Sequence, residues 1–179
     1  GYYYFGTDKG IYRYDKEKLL RIGVGEGLAN DKVRVVFEDS QGVIWIGTLK
    51  GLYYLKNEKA VSFDEEYNLP KAPITSIIED NNGNLLFSTY DFGVIRYSRR
   101  NQADPVKMIN KQLGLNNEKI LFNYLDKRNK LWLGTSEGVD NIDWGLYLQE
   151  GKLSTVHYDK SNGYLGVESN AACEDLSGN

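Results

Sequence analysis

Apolar residues in this chain come in short runs, each closed by a small polar cluster. Val33-Arg34-Val35-Val36-Phe37 gives way to Glu-Asp-Ser-Gln-Gly, and apolar character resumes at once in Val43-Ile44-Trp45-Ile46 before stopping on Gly47-Thr48. Runs of this length with Asp, Asn and Gly at their borders read as strands joined by hairpin turns, in which Asp accepts local backbone bonds and Gly takes a positive φ. The first run is mostly apolar, as a strand covered on both faces must be. After the Gly-Thr stop, "GLYYLK" predicts a third strand and "AVSFDEE" a fourth, more polar one, which places Glu65 and Glu66 in a solvated outer strand.

The whole unit then recurs. "YYFGTDKGIYRY", "IWIGTLKGLYYL", "LLFSTYDFGVIRY" and "LWLGTSEGVDNI" align on the pairs Gly6-Thr7, Gly47-Thr48, Ser88-Thr89 and Gly134-Thr135, spaced by 41, 41 and 46 residues. Asp39, Asp80 and Asp126 fall in phase upstream, Asp175 continues the series, and Trp45 and Trp132 occupy one repeat position. Four short antiparallel strands every 41 to 49 residues is the signature of β-propeller blades. The expected fold is therefore all-β, a propeller segment of about four repeats over residues 1–179. A partial first unit covers 1–27, three full units cover 28–68, 69–114 and 115–162, and a partial last one covers 163–179. That last piece could complete the first blade and close a four-blade ring, or the chain could be part of a longer propeller. Trp45 and Ile46 should point to opposite faces and wedge against neighbouring blades. Gly47 should mark a close approach, and Thr48 should satisfy backbone groups at its turn.

Composition agrees and narrows the function. Nineteen Gly and 14 Tyr against three Pro suit short strands and tight turns. A net charge of −3 offers no basic field for nucleic acid or an anionic membrane. The single Cys173 forms no internal disulfide, and no apolar run approaches the length of a membrane span.

"FEDSQGVIWIGTLKGLYYL" resembles the two-component regulator propeller repeat, with its Asp-x-x-Gly turn and Trp-Ile-Gly-Thr strand. Leu86, Phe87, Ser88 and Asn129 depart from that pattern. The tail "HYDKSNGYLGVESNAACEDLSGN" is similar to the last blades of such sensors, where Glu168 and Asn170 match its motif. The resemblance implies a periplasmic or extracellular sensor region of a histidine kinase of hybrid or ordinary type, followed by a β-sandwich, a membrane span and the kinase. It implies a non-catalytic module whose ligand is a small molecule, an oligosaccharide for example. The alternative is an interaction scaffold or surface carbohydrate-binding propeller without kinase output.

Candidate chemistry is sparse. His157 is the only histidine and reads as an ordinary strand residue. "DNNGN" lacks the closing acid of a calcium loop, and "GVGEGL" lacks the helix a phosphate loop needs. No catalytic residue, metal site or cofactor is expected. Binding is better placed at the end where the second-to-third-strand turns meet the loops entering each blade, since loops on a rigid scaffold carry recognition. Lys50, Tyr90, Asp91, Phe92, Asn117, Glu137 and Glu168 gather there by strand order. One extra residue between Thr89 and Gly93 groups Tyr90, Asp91 and Phe92, whose rings and carboxylate suit a sugar. At the opposite end, Trp144, Leu146, Tyr147 and Leu148 form an apolar knot. It should be a loop folded back on the propeller's side, with docking of another propeller, a sandwich domain or a dimer mate as the alternative.

Overall fold

The computed structural model describes residues 1–166 and 168–175; the end of the last partial repeat, 176–179, lies outside them. Four antiparallel sheets follow one another along the chain. Blade I contains β1 (Tyr3–Thr7), β2 (Gly10–Tyr14) and β3 (Leu19–Ile22). Blade II contains β4 (Val33–Glu38), β5 (Ile44–Thr48), β6 (Gly51–Lys56) and β7 (Lys59–Ser62). In blade III, β8 (Ile74–Glu79), β9 (Leu85–Thr89), β10 (Val94–Tyr97) and β11 (Val106–Ile109) repeat the pattern. Blade IV has β12 (Ile120–Leu125), β13 (Lys130–Thr135), β14 (Gly138–Asp143) and β15 (Thr155–Tyr158). The first strands β4, β8 and β12 pack on one another from blade to blade, and β1 packs on β4, so the first strands form the inner wall.

Each blade interface has its own apolar cluster. Ile46 joins Ile11 and Ile22 between blades I and II, whereas its neighbour Trp45 joins Ile77, Phe87 and Ile95 between blades II and III. Leu86, Leu131, Leu133 and Trp144 belong to the third cluster. The two-residue periodicity of β5 thus feeds two different interfaces, as a strand buried on both faces requires.

The in-phase threonines act alike in all four blades, and the aspartates in blades II, III and IV. Thr7, Thr48, Thr89 and Thr135 donate from Oγ1 to the carbonyls of Gly10, Gly51, Gly93 and Gly138 at 2.8–3.1 Å. The same hydroxyls accept the amides of Lys9, Lys50, Phe92 and Glu137. Asp39, Asp80 and Asp126 each accept two backbone amides of their own hairpin through Oδ1. Asn129 adopts φ 60° at the position where Gly42 and Gly83 take 76° and 77°.

Gly47 is a packing necessity. A Cβ there would lie 2.5 Å from Val35 Cγ1 of its own blade and 2.7 Å from Ile74 Cβ of the next. Blade III tolerates Ser88 at this position because the residue paired with it on β8 is the small Ser76, where blades II and IV carry Val35 and Phe122.

Two sequence expectations are corrected. The fourth strand of blade II ends at Ser62, and Phe63–Glu66 form a helical turn, α1, capped by Ser62 Oγ accepting Glu65 N–H at 3.2 Å; Glu65 and Glu66 therefore lie in a helix rather than an outer strand. The Ser-x-x-Glu spacing that caps it is a helix-start signal. Likewise Trp144–Glu150 is a helix, α2, capped by Asp143 and closed by Gly151 at φ 72°. It does fold back on the propeller: Trp144 is fully buried and its Nε1 donates to Asp80 Oδ2 at 2.8 Å.

Candidate functional site

Register fixes which loops share an end. Val33 pairs with Thr48, Ile74 with Thr89 and Ile120 with Thr135, so the turns after β5, β9 and β13 sit beside the entry to their own inner strands. One residue past each of these pairs the ladder slips: Arg34, Thr75 and Leu121 are the extra residues of β-bulges at one repeated position. A bulge re-aims its side chain out of the regular alternation. Here all three turn toward a common cavity of about 260 Å³, joined by Leu49 and Tyr90 from the turns, Pro73 from the loop entering β8, and Asn170 from the tail.

Asn170 belongs to the same series. It precedes Asp175 by the five residues that separate Arg34 from Asp39, Thr75 from Asp80 and Leu121 from Asp126. The tail lies against blade IV, with Ser169 N–H donating to Thr135 O at 3.3 Å and Ser169 O occupying the space a Cβ on Gly134 would need. Ile74 stands in the corresponding place beside Gly47, and Val33 beside Gly6. The cavity wall is thus built from equivalent positions of four successive inner segments.

Its groups differ in chemistry. Arg34 is exposed and supplies the one formal charge among the lining residues. Tyr90 is 37% exposed, with Lys119 Nζ 5.8 Å from its ring centroid. Thr75 Oγ1 lies 2.8 Å from Ile120 O of the next blade and 3.2 Å from Ser88 O, both acceptors of its single proton, so the hydroxyl can serve a ligand only as an acceptor.

A second, polar pit of about 180 Å³ is lined by Asp91, the chain neighbour of Tyr90, and by Asn117 and Glu137 with Lys111, Glu118 and Lys119. Asn117 within it is 5% exposed and is fixed by accepting Lys119 N–H at 2.8 Å and donating to Ser136 Oγ at 3.3 Å. Of the residues singled out from sequence, the structure places Asp91, Asn117 and Glu137 around this pit and Tyr90 in the first cavity; Lys50, Phe92 and Glu168 are exposed and line neither. Sequence reasoning passed over Arg34, Thr75 and Leu121, although their shared phase ahead of the turn aspartate would have grouped them.

His157 lies on β15 with Nδ1 2.6 Å from Asp140 Oδ1 and Nε2 3.7 Å from Asp159 Oδ2. Asp140 is fully buried and also accepts the backbone and side-chain N–H groups of Asn116. This network ties the loop into blade IV to its outer strand. Among the described residues, no three His, Cys, Asp or Glu side chains cluster as metal ligands.

Residues 27–50 and 68–91 match the two component regulator propeller family. Among solved structures, the chain is similar to the extracellular domains of two proteins described as hybrid two component systems of B. thetaiotaomicron. One has 22% identity and a TM-score of 0.78, the other 18% and 0.77, each over 99% of this chain. The chain spans about a quarter of those domains, 25% and 26%. It is also similar, at 16% identity and a TM-score of 0.59, to virginiamycin B lyase from Staphylococcus aureus, over 89% of this chain and 55% of the lyase. Among curated proteins none matches the sequence. No helix of the described residues is long and apolar enough to cross a membrane.

Proposed function

We propose, from the premise that this chain carries two component regulator propeller repeats, that it is the ligand-sensing part of an extracytoplasmic sensor whose output is a histidine kinase on the other side of the membrane. The observation that carries this reading is the convergence of equivalent positions from successive blades on one cavity, at the end where the blade-entry loops and turns also meet. Such a site suits recognition: it offers a cation, an aromatic face, amide and hydroxyl groups and apolar walls. The segment is non-catalytic in this reading. The groups that would have to act chemically, His157 and Asp140, hold each other and a neighbouring loop in place.

Signalling follows from differential affinity. A ligand that touches several blades at once favours one arrangement of the propeller and its neighbours over another, and it can shift the output by no more than that difference. The partners are then a small ligand, for which an oligosaccharide is the leading class, and adjoining blades or a sandwich domain of the same protein. The test is kinase output. The full-length protein, reconstituted in membranes and screened against glycans, should change its autophosphorylation with an extracytoplasmic ligand. A full-length protein lacking a kinase or a kinase partner would overturn the reading, and turnover of a bound ligand would replace it with an enzymatic one.

A further inference from the structure

The bulge positions keep their geometry from blade to blade while changing their chemistry: Arg34, Thr75 and Leu121, followed in phase by Asn170. Packing does not demand this variety. The neighbouring inner-strand positions, such as Val33, Ile74 and Ile120, stay aliphatic, because they must fit the interfaces. A repeat protein that holds a backbone feature constant and varies only the side chain it presents is encoding a specific asymmetric surface.

We infer that this cavity binds a six-membered ring bearing a carboxylate. Arg34 makes no hydrogen bond or ion pair among the described residues, and no acid lines the cavity, although acids outnumber bases in the chain by 25 to 22. A guanidinium left open over an apolar-walled pocket is suited to bidentate capture of a carboxylate. The walls supply the rest. Tyr90, with Leu49, Pro73 and Leu121, offers apolar faces for a ring, while the Thr75 hydroxyl and the Asn170 amide can meet ring hydroxyls. A volume of about 260 Å³, just below the usual range of ligand sites, fits one ring and leaves the remainder of a longer molecule outside the cavity. The inference rests on the sensor reading for its biological output and on this geometry for its chemistry.

Two sources share the chemistry, the terminal hexuronic acid of an oligosaccharide and a free aromatic carboxylate. Titration calorimetry on the full-length protein separates them, using digalacturonate, its neutral counterpart galactobiose, and 4-hydroxybenzoate. Digalacturonate should bind at least about tenfold more tightly than galactobiose, as one charge-assisted pair to an otherwise open Arg predicts. Arg34→Gln should abolish that preference and leave the urea midpoint unchanged, because the residue is an exposed bulge position. Tyr90→Ala should weaken both sugars. Tighter binding of 4-hydroxybenzoate, still dependent on Arg34, would support the site and assign it to aromatic acids. Equal affinity for digalacturonate and galactobiose, insensitivity to Arg34→Gln, or no heat with any probe up to about 10 mM would each overturn the inference. Kinase output is scored separately. Arg34-dependent binding without output keeps this site and sinks the sensor reading, whereas output from a neutral ligand indifferent to Arg34 does the reverse.

Discussion

Asp64 shows how one side chain can take over from a strand. In blades I, III and IV the glycine at the start of β2, β10 and β14 faces the carbonyl of Ile22, Ile109 or Tyr158 at the end of the strand that follows. In blade II the fourth strand has already ended at Ser62, and Asp64 Oδ2 takes the carbonyl's place, accepting Leu52 N–H at 2.8 Å. The substitute is imperfect. Asp64 is 1% exposed, its Oδ1 finds no partner among the described residues, and burial pushes its carboxyl up to about 6 from 3.8. The sign follows from linkage: a folded-state value above the unfolded one means the unfolded chain releases its proton first. The penalty is therefore absent below pH 3.8, grows as pH rises toward 6, and is constant above. Asp64→Asn keeps an acceptor for Leu52 and removes the charge, so it should stabilise the protein by about 1–3 kcal/mol at pH 7.5 and much less at pH 4. Urea midpoints of both proteins at the two pH values check this; parallel pH profiles would show that Asp64 is not the titrating group. The turn roles of Asp39, Asp80 and Asp126 were legible in the sequence because Asp-x-x-Gly, with Asn129 in place of the Gly after Asp126, is a local signal. Asp64 was not, because its job is defined by a strand that stops early.

Among the elements, the hairpin aspartates do a second job that links blades. Oδ2 of Asp39 accepts Trp45 Nε1 at 2.7 Å within its own blade, and Arg99 of blade III also donates to it. The guanidinium of Arg99 lies near the rings of Trp45 and Tyr97 as well. Blade III has Leu86 where Trp45 stands in blade II, so Asp80 has no indole from its own strand. Trp144 of blade IV supplies one instead, alongside Asn84 Nδ2 at 2.7 Å. Arg99 and Trp144 each stand six residues after the glycine of their repeat, Gly93 and Gly138, so one repeat position reaches back to the preceding blade's aspartate with two different donors. Helix α2 then reads as the means of placing an indole at that point. Trp144→Phe keeps the ring and removes the donor, and should cost about 1–2 kcal/mol; Trp144→Ala should cost about 3–5 kcal/mol, since it also opens a cavity against Leu86 and Leu131. Chemical denaturation gives both values, and equal costs would mean that the hydrogen bond contributes nothing. The apolar knot was visible in the sequence, but its burial was not, since the vacancy it fills lies 64 residues away in the chain.

At the scale of the whole molecule, three apolar clusters join four blades, and the outer face of blade I carries the consequence. Propeller architecture itself was plain from the 41-residue phase, because every repeat has to make the same contacts with its neighbours. The exposure of blade I's outer face was not legible, because it depends on what stacks against that blade rather than on the repeat itself. On blade I, Ile11 and Ile22 point into the interface with blade II. By strand register, Tyr3, Phe5, Tyr12, Tyr14 and Leu19 share the opposite face, where Tyr3, Phe5 and Leu19 are 54%, 50% and 64% exposed. Blade IV differs, because the tail lies against it: Trp132 occupies the position of the buried Trp45, bonds Asp126 at 2.9 Å, and stacks on Tyr158, with Ala172, Cys173 and Glu174 of the tail beside it. Blade faces like that of blade I bury their apolar groups only by stacking, and each added interface contributes a nearest-neighbour term to stability. The 179-residue chain on its own should therefore associate through this face, sedimenting above its 20.4 kDa monomer mass in a concentration-dependent way. Phe5→Lys with Leu19→Lys places charge on the blade I face without touching the interface with blade II, and should return the chain to a monomer with a nearly unchanged urea midpoint. A wild-type chain that stays monomeric at high concentration would show that these exposed rings are tolerated as ordinary surface, and the stacking argument would then fail for blade I.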